Sequence, residues 1–285
     1  MIKKSDEKNV KIKTGVVGWP ISHSLSPRLH GYWLDKYNIS GEYLAYAVKP
    51  EALGDFLKSL PEKKIIGVNL TVPHKEIVLP FLDEIDEVAR RIGAVNTIIV
   101  QKDGRLFGRN TDGYGFLTNL KAYAATWSSQ AGPAVIIGAG GAARAAIVSL
   151  LDDGISEIRL INRTRARAEK LAEIYHDPRI IVCDWQDRSK ILRDSALLVN
   201  TTSLGMKGQP PLDIDLSELP GTAVVYDIVY NPLETALLKQ ARLRGNICVD
   251  GLGMLLYQAA PAFQSWFGQA VDVDQKLRQY IIGGL

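Results

Sequence analysis

The sequence has few cysteines, no long apolar run and little excess charge of either sign. Its two cysteines, Cys183 and Cys248, lie far apart without a CxxC pair, which argues against a disulfide framework or a structural zinc site. No window approaches the roughly 18 to 20 apolar residues of a membrane-spanning helix. The formal net charge of +3 lacks the basic excess typical of nucleic-acid-binding proteins. We therefore expect no metal site, no membrane segment and no nucleic-acid partner.

The first residues also lack the apolar stretch of a secretory signal. The segment MIKKSDEKNVKIK is charged and polar, unlike the central region of a cleaved signal peptide. We interpret residues 1–11 as a leader without an assigned role and expect a cytoplasmic protein. Hydrophobic residues make up 46% of the 285-residue chain, which is sufficient for the cores of two domains.

Apolar strands alternate with amphipathic helices along the chain, which predicts an α/β protein with mainly parallel sheets. The first series covers about residues 12–111 and contains TIIVQKDGRLFG, where Asp103 and Gly104 predict a hairpin turn. A second series follows the polar break SSQAGP and has the pattern of a doubly wound, Rossmann-type sheet. The final helices are expected to pack back on the first domain. The predicted domains are residues 1–115 with 252–285, and residues 116–251.

A glycine-rich turn opens the second series. The strand AVII leads into Gly138, Gly140 and Gly141, followed by Ala143, which matches the pattern G-x-G-x-x-A of dinucleotide-binding folds. In these folds the first glycine permits a tight turn, the second lets the backbone approach a pyrophosphate, and the small third residue lets the helix pack on the sheet. The N-terminus of the helix supplies amide donors to the phosphates. The pattern therefore predicts a dinucleotide site, with a plain tight turn as the alternative.

The end of the next strand indicates which dinucleotide is bound. Folds that bind NAD place an acidic residue about 20 positions after the glycines, on the ribose 2′-hydroxyl. Here the strand instead ends in the segment NRTRAR, with arginines at positions 163, 165 and 167. Because guanidinium groups pair well with phosphate, the segment favours NADP(H) over NAD. A solvated basic loop is the alternative.

Three polar clusters of the first series are candidates for substrate binding and chemistry. Ser24 and Ser26 follow the first strand and suit a carboxylate, although Ser26 could cap the next helix, instead of or together with that role. Lys75 ends NLTVPHK, where an ammonium group could protonate a developing alkoxide, unless it is an ordinary surface lysine. Asn96 and Asp112 form the third cluster and could meet Lys75, although Asp112 could also cap a helix. Neighbouring Ser and His residues alone establish no hydrolase triad.

Together these motifs closely resemble the shikimate dehydrogenase family. The resemblance covers almost the whole chain after the leader and rests on SHSLSP, NLTVPHK, GAVNT, NTDGYG, GAGGAARA, NRTRAR, NTTSLGM and DGLGMLLYQAA, in this order. Small departures occur at Gly31, where the family often has Asn, and at Thr201, where it usually has Ala. The resemblance implies an N-terminal α/β substrate domain, an NADP-binding Rossmann domain, and reversible reduction of 3-dehydroshikimate to shikimate in aromatic amino acid biosynthesis.

The resemblance also implies roles for individual residues. Lys75 is the acid and base of the reaction, and Asp112 assists it. The implied substrate-binding set is Ser24, Ser26, Thr71, Lys75, Asn96, Asp112, Tyr230 and Gln258. The implied NADP(H)-binding set is Gly138, Ala139, Gly140, Gly141, Ala142, Asn162, Arg163, Thr164, Arg167, Ile228 and Gly251, with Glu87 as a position sometimes assigned to the cofactor.

Other functions on the same scaffold stay open at this point. A quinate or amino-shikimate dehydrogenase, including one with relaxed use of NAD and NADP, would share most of these motifs. A catalytically silent NADP-binding regulator would share the fold and the cofactor loop. The arginine-rich loop favours NADP, and serine at both carboxylate positions favours shikimate over the bulkier quinate. The sequence is consistent with a monomer or a homodimer.

Overall fold

The computed structural model describes residues 11–285, which fold into two compact units. The first unit comprises the chain up to Thr111 together with Ala259–Gly284, and the second comprises Asp112–Gln258. The leader predicted for residues 1–11 lies, apart from its last residue, outside the described residues. Both units combine a sheet with covering helices, which confirms the predicted α/β class.

The first unit is built on a six-stranded mixed sheet. Its strands are β1 (Ile12–Gly18), β2 (Gly41–Ala47), β3 (Ile65–Leu70), β4 (Glu84–Ile85), β5 (Thr97–Val100) and β6 (Leu106–Arg109), in the order β2-β1-β3-β5-β6-β4. Its N-terminal helices are α1 (Ser26–Lys36), α2 (Leu53–Lys58), α3 (His74–Ile77) and α4 (Glu87–Ile92). Strand β1 runs parallel to β2 and β3, whereas β5 is antiparallel to β3 and β6. Gly104, with φ of 87°, lies in the turn between β5 and β6, which confirms the predicted hairpin.

The second unit is built on a six-stranded parallel sheet. Its strands are β7 (Ala134–Ile137), β8 (Ile158–Ile161), β9 (Ile180–Cys183), β10 (Leu197–Asn200), β11 (Val224–Asp227) and β12 (Ile247–Val249), in the order β12-β11-β10-β7-β8-β9. Its helices include α5 (Asp112–Tyr123), α6 (Gly141–Asp152), α7 (Arg165–Tyr175) and α8 (Ala236–Leu243). The chain winds outward from β7 to β9 and then returns to β10 on the other side of β7. This doubly wound order confirms the predicted Rossmann-type sheet and places its switch point between β7 and β10.

The last two helices are α9 (Gly251–Phe267) and α10 (Gln275–Ile282). The second half of α9 and all of α10 belong to the first unit. Trp266 of α9 donates from Nε1 to the carbonyl of Ile98 at 3.0 Å, and Trp33 of α1 donates to the carbonyl of Asp272 at 3.3 Å. Gly67 of β3 makes room for the indole, because a Cβ there would lie 2.0 Å from Trp266 Nε1. The C-terminal segment therefore packs on the first unit, as expected.

Cys183 and Cys248 are free thiols of intermediate exposure. Within residues 11–285, no helix has both the length and the apolar character required to cross a membrane. The same part of the chain contains no group of three or more His, Cys, Asp or Glu side chains that could hold a metal ion.

Candidate active site

The loop that carries Thr71 and Lys75 is fixed to its neighbours by backbone hydrogen bonds. Thr71 follows β3, and its amide donates to the carbonyl of Val17 in β1 at 2.9 Å. A Cβ at Gly18 would lie 2.6 Å from Thr71 Cγ2, so only glycine fits this close approach. On the other side, the amide of Val95 donates to the carbonyl of Lys75 at 2.8 Å. The loop is thus joined both to the end of β1 and to the GAVNT segment.

His74 anchors the same loop from inside the first unit. Its side chain is fully buried, and Nε2 lies 2.8 Å from the carbonyl oxygen of Val48, just after β2. Burial lowers the pKa of His74 below its ordinary value. The imidazole is therefore neutral near pH 7 and donates from Nε2 to Val48, which restrains the residue immediately before Lys75.

The alternative that Ser26 caps α1 is wrong. Helix α1 begins at Ser26 itself, the N-cap position is Leu25, and no side chain caps the helix. Ser26 is buried, and burial raises the pKa of the Tyr43 phenol in β2, which the neighbouring Ser26 hydroxyl lowers. The half-buried Ser24 accepts a hydrogen bond from the amide of Ser26 at 3.3 Å. The two candidate carboxylate ligands therefore lie next to each other, and their side chains contact different groups of the first unit.

Asn96 is 2% exposed, and hydrogen bonds within the first unit fix its side-chain amide. Its Oδ1 accepts from the amide of Thr111 at 2.9 Å and from Thr97 Oγ1 at 3.0 Å. Its Nδ2 donates to Thr111 Oγ1 at 2.9 Å. A buried amide held at both ends has one preferred orientation, which suits a residue that must recognise a specific hydroxyl.

Asp112 and Gln258 lie on two helices of the second unit that are in direct contact. Asp112 is the first residue of α5 and is 3% exposed. Gly115 lies one turn further along α5, where a Cβ would be 2.7 Å from both Gln258 Cβ and the carbonyl oxygen of Met254 in α9. The absence of a side chain at Gly115 therefore lets α9 approach α5 close to Asp112.

The glycine-rich turn between β7 and α6 has the predicted geometry. Gly138 has φ of 118°, and a Cβ there would lie 2.5 Å from Thr201 Oγ1, so the position requires glycine. A Cβ at Gly140 would meet no atom within 4 Å, so the space beside this backbone is open. Helix α6 begins at Gly141, and Ala143 is fully buried. Open backbone at the N-terminus of a helix is the environment that a pyrophosphate requires.

The arginine-rich loop after β8 contains arginines in two different states. Arg165 is paired with Glu169 through Nε at 2.7 Å and with Asp184 through Nη1 at 2.6 Å. Arg163 and Arg167 are exposed and form no ion pair with the described residues. Asn162 Nδ2 donates to the carbonyl of Thr164 at 2.8 Å, which tightens the turn. The loop thus offers two unpaired guanidinium groups to an anionic ligand.

Ile228 and Gly251 are brought into direct contact at the carboxyl ends of β11 and β12. A Cβ at Gly251 would lie 1.9 Å from the carbonyl oxygen of Ile228, closer than any side chain permits. The amide of Gly251 donates to the carbonyl of Val229 at 3.2 Å. Tyr230 follows in the same loop, and burial raises the pKa of its phenol. The structure therefore brings together Ile228 and Gly251, which are 23 positions apart in the sequence.

A buried carboxylate that the sequence did not single out supports this loop. Asp227, the last residue of β11, is fully buried. It accepts hydrogen bonds from Thr235 Oγ1 at 2.7 Å, from Asn200 Nδ2 at 3.0 Å and from the amide of Val229 at 3.1 Å. Burial raises its pKa to about 6, although these hydrogen bonds lower it. Asp227 therefore links the ends of β10 and β11 to the loop that contains Ile228.

The remaining candidate, Glu87, lies at an exposed position in the first unit. It is the first residue of α4, after Asp86, whose side chain caps the helix by accepting from the amide of Ala89 at 2.6 Å. The first unit thus contains Ser24, Ser26, Thr71, Lys75, Glu87 and Asn96. The second contains Asp112, Gly138, Ala139, Gly140, Gly141, Ala142, Asn162, Arg163, Thr164, Arg167, Ile228, Tyr230, Gly251 and Gln258.

Tyr43 and Asn69 are further site-related residues without an individual assignment from the sequence. Asn69 stands in a quoted motif, but nothing in the motif shows which groups it contacts. Tyr43 and Tyr46 both occur in the strand EYLAYAV, and no sequence signal distinguishes them. In the structure, Tyr43 is the only buried residue of β2.

Comparisons with known proteins agree over most of the chain. Family models match residues 16–98 as the shikimate dehydrogenase substrate binding domain, 122–206 as shikimate / quinate 5-dehydrogenase, and 251–275 as the shikimate 5'-dehydrogenase C-terminal domain. A shikimate dehydrogenase (NADP(+)) from Paramagnetospirillum magneticum is 55% identical over 94% of this chain and 97% of its own length.

Solved structures give the same result. Shikimate 5-dehydrogenase from Thermus thermophilus, in complex with NADP(H) and shikimate, has a TM-score of 0.85 and 37% identity, covering 96% of this chain and 100% of that one. Quinate dehydrogenase from Corynebacterium glutamicum, in complex with NAD, has a TM-score of 0.88 and 28% identity, covering 96% and 99%. With the family models and the 55% identical relative, these similarities show that the chain belongs to the shikimate dehydrogenase family.

Proposed function

We propose that this chain is an NADP-dependent shikimate dehydrogenase that reversibly reduces 3-dehydroshikimate to shikimate, in the pathway to chorismate and the aromatic amino acids. The observation that carries the proposal is the open glycine turn followed by two arginines without an ion pair among residues 11–285, in a chain that is 55% identical to a shikimate dehydrogenase (NADP(+)). Residues 116–251 form the NADP-binding domain, and residues 1–115 with 252–285 form the substrate domain.

The residues of the second unit fit NADP(H). The backbone from Gly138 to Ala142 holds the pyrophosphate, because Gly140 leaves open space there and α6 directs its first amides toward it. Arg163 and Arg167 pair with the 2′-phosphate, with Asn162 and Thr164 shaping the turn. Ile228 and Gly251 border the nicotinamide. Glu87 is a further cofactor position on the first unit.

The substrate is held through its carboxylate and its hydroxyl groups. Ser24 and Ser26 bind the carboxylate without bringing a full positive charge. The hydroxyls and the reacting oxygen are bound by Thr71, Lys75, Asn96, Asp112, Tyr230 and Gln258. The orientation of Asn96, fixed from both ends, selects the substrate hydroxyl that matches its donor and acceptor.

Bound NADPH supplies the hydride that reduces the ring ketone. As the carbonyl oxygen gains negative charge, the ammonium group of Lys75 stabilises it and transfers a proton to it, which yields the alcohol. In the reverse direction, neutral Lys75 accepts that proton. The carboxylate of Asp112 assists by orienting the substrate. His74 and the Val95 hydrogen bond hold the backbone of Lys75 in place for this transfer.

The protein acts in the cytoplasm as a monomer or homodimer, on a small-molecule substrate. A spectrophotometric assay of NADPH formation from shikimate tests the function, beside matched reactions that contain NAD or quinate. Turnover confined to shikimate with NADP supports the proposal. Comparable efficiency with quinate or NAD would instead make the chain a quinate/shikimate dehydrogenase, and NADPH binding without any turnover would make it a silent regulator.

A further inference from the structure

Buried polar side chains of the first unit form a continuous chain of hydrogen bonds that ends at a candidate substrate ligand. In order, its members are Tyr43, Asn69, Thr97 and Asn96. All are buried, with exposed fractions between 0% and 6%. The first three residues have no assigned role in the proposed function, although they connect to Asn96, which does.

The amide of Asn69 determines the direction of the first hydrogen bonds. Its Nδ2 donates to Thr97 Oγ1 and to the carbonyl of Asn96, each at 3.0 Å, so its Oδ1 is an acceptor. Tyr43 Oη, which lies 2.7 Å from this Oδ1, therefore donates to it.

Thr97 continues the chain in the same direction. Its Oγ1 accepts from Asn69 and donates to Asn96 Oδ1 at 3.0 Å, and Asn96 Nδ2 in turn donates to Thr111 Oγ1 at 2.9 Å. Hydrogen bonds that run in one direction polarise and strengthen one another. The chain therefore fixes which end of the Asn96 amide is the donor and which is the acceptor.

Aromatic packing holds the Tyr43 ring in place. His30 of α1 stacks on the ring, with 3.9 Å between the centroids and 4° between the planes. Burial lowers the pKa of His30 to about 3, and neither of its ring nitrogens has a hydrogen-bond partner among the described residues. His30 thus acts on Tyr43 by packing alone, and the position of the tyrosine hydroxyl is set by a rigid ring.

Strand pairing explains why Tyr43 reaches Asn69. Strand β1 lies between β2 and β3, and its residues Thr14 and Val16 pair with Tyr43 and Asn69, respectively. The Tyr43 phenol is long enough to extend past β1 and thereby connects β2 to β3. It lies on the face of the sheet that α1 and the end of α9 cover. A shorter side chain at position 43 could not make this connection.

We propose that Tyr43 is a positioning residue for shikimate, which orients Asn96 through Asn69 and Thr97. This inference rests on the proposed function, in which Asn96 binds a hydroxyl of the substrate. By holding this ligand before the substrate arrives, Tyr43 removes the cost of ordering it during binding.

The first test is Tyr43→Phe, which keeps the ring and its stacking on His30 but removes the hydroxyl. We expect kcat/KM for shikimate to fall about tenfold, mainly through a higher KM, because the buried amide of Asn69 loses its hydrogen-bond donor. The KM for NADP should stay within about twofold. Tyr46→Phe is the matched control, because Tyr46 belongs to the same strand, packs on Phe56 and has no hydroxyl hydrogen bond with the described residues.

A second pair of variants interrupts the chain at Thr97. Thr97→Val removes the hydroxyl and should reproduce the higher KM for shikimate, whereas Thr97→Ser keeps the hydroxyl and should retain near-normal KM. If the chain acts as a unit, Tyr43→Phe combined with Thr97→Val should be little worse than the more damaging single variant. This pair also keeps the proposal testable if Tyr43→Phe fails to fold.

Two outcomes would overturn the role of Tyr43. One is a KM for shikimate that Tyr43→Phe and Thr97→Val leave within about twofold of normal, and the other is an equal rise in the KM for NADP, which would indicate general loosening. Absence of turnover by the unsubstituted chain would contradict the proposed function instead. In that case the same variants are compared by the dissociation constant of shikimate, measured by calorimetry, with the same expected tenfold change.

Discussion

The guanidinium group of Arg165 lies 2.6 Å from the carboxylate of Asp184, while the neighbouring Arg163 and Arg167 have no such partner among the described residues. Three arginines that look equivalent in the sequence therefore differ in what they can bind. The ion pairs of Arg165 satisfy its charge within the protein, and the other two remain available to a 2′-phosphate.

Replacing both Arg163 and Arg167 by Ala should raise the KM for NADP by at least about a hundredfold, because each charge-assisted hydrogen bond to phosphate contributes about 1.5 to 3 kcal/mol. The KM for NAD, which lacks the 2′-phosphate, should change little. Arg165→Ala is the control and should alter the KM for NADP by no more than about threefold, since its guanidinium is already paired. A large effect of Arg165→Ala alone would show that this arginine leaves Asp184 to bind the cofactor.

Lys75→Ala should reduce kcat by at least about a hundredfold, the usual contribution of a positioned acid or base. The KM for shikimate should change less, and binding of NADPH, measured by fluorescence titration, should be retained. Lys63→Ala, at an exposed lysine of the same unit, should behave like the unsubstituted chain. Near-normal kcat in Lys75→Ala would exclude Lys75 as the proton donor.

The fold could be predicted from the sequence because it depends on local patterns. Apolar strands, the Asp103–Gly104 hairpin and the Gly138 turn all follow from the conformational preferences of a few neighbouring residues. The roles of the three arginines could not be predicted, because the partner of Arg165 follows β9, 19 residues away.

The same limit applies to the substrate side of the site. The sequence allowed Ser26 to be either a helix cap or a ligand, and only the start of α1 at Ser26 itself excludes the cap. Tyr43 could not be distinguished from Tyr46 in the sequence. Its contact with Asn69 arises only because β2 and β3 lie on either side of β1. Such contacts depend on strand order and register, which local sequence patterns do not specify.

Gly251→Ala should impair both stability and cofactor use, because the added Cβ would lie 1.9 Å from the carbonyl oxygen of Ile228. The backbone must shift to accept it, at a cost of about 1 to 3 kcal/mol in the free energy of unfolding. The KM for NADP should rise as the loop around Ile228 moves. Gly221→Ala, where a Cβ would meet no atom within 4 Å, is the control and should leave both quantities nearly unchanged. Equal behaviour of the two variants would contradict the close approach.

The buried carboxylate of Asp227 should make stability depend on pH in an unusual direction. Its pKa is raised from 3.8 to about 6 in the folded protein, mainly by burial. Between these values the folded state takes up a proton that the unfolded state does not, so this group increases stability as the pH falls from about 6 toward 4. Above pH 6 the cost of burying the charge is fully present and corresponds to roughly 3 kcal/mol.

Asp227→Asn isolates this contribution, because an amide does not titrate. The free energy of unfolding should be measured in urea for both proteins between pH 4.5 and pH 7.5. The Asn variant also alters the hydrogen bonds to Thr235 and Val229, so the informative quantity is how the difference between the proteins changes with pH. As the pH falls across this range, the unsubstituted chain should gain stability relative to the variant, by about 2 kcal/mol. Asp213→Asn, at an exposed carboxylate of the same unit, is the matched control. A pH-independent difference for Asp227→Asn would mean that the carboxylate is already charged throughout this range, with its three hydrogen bonds outweighing its burial.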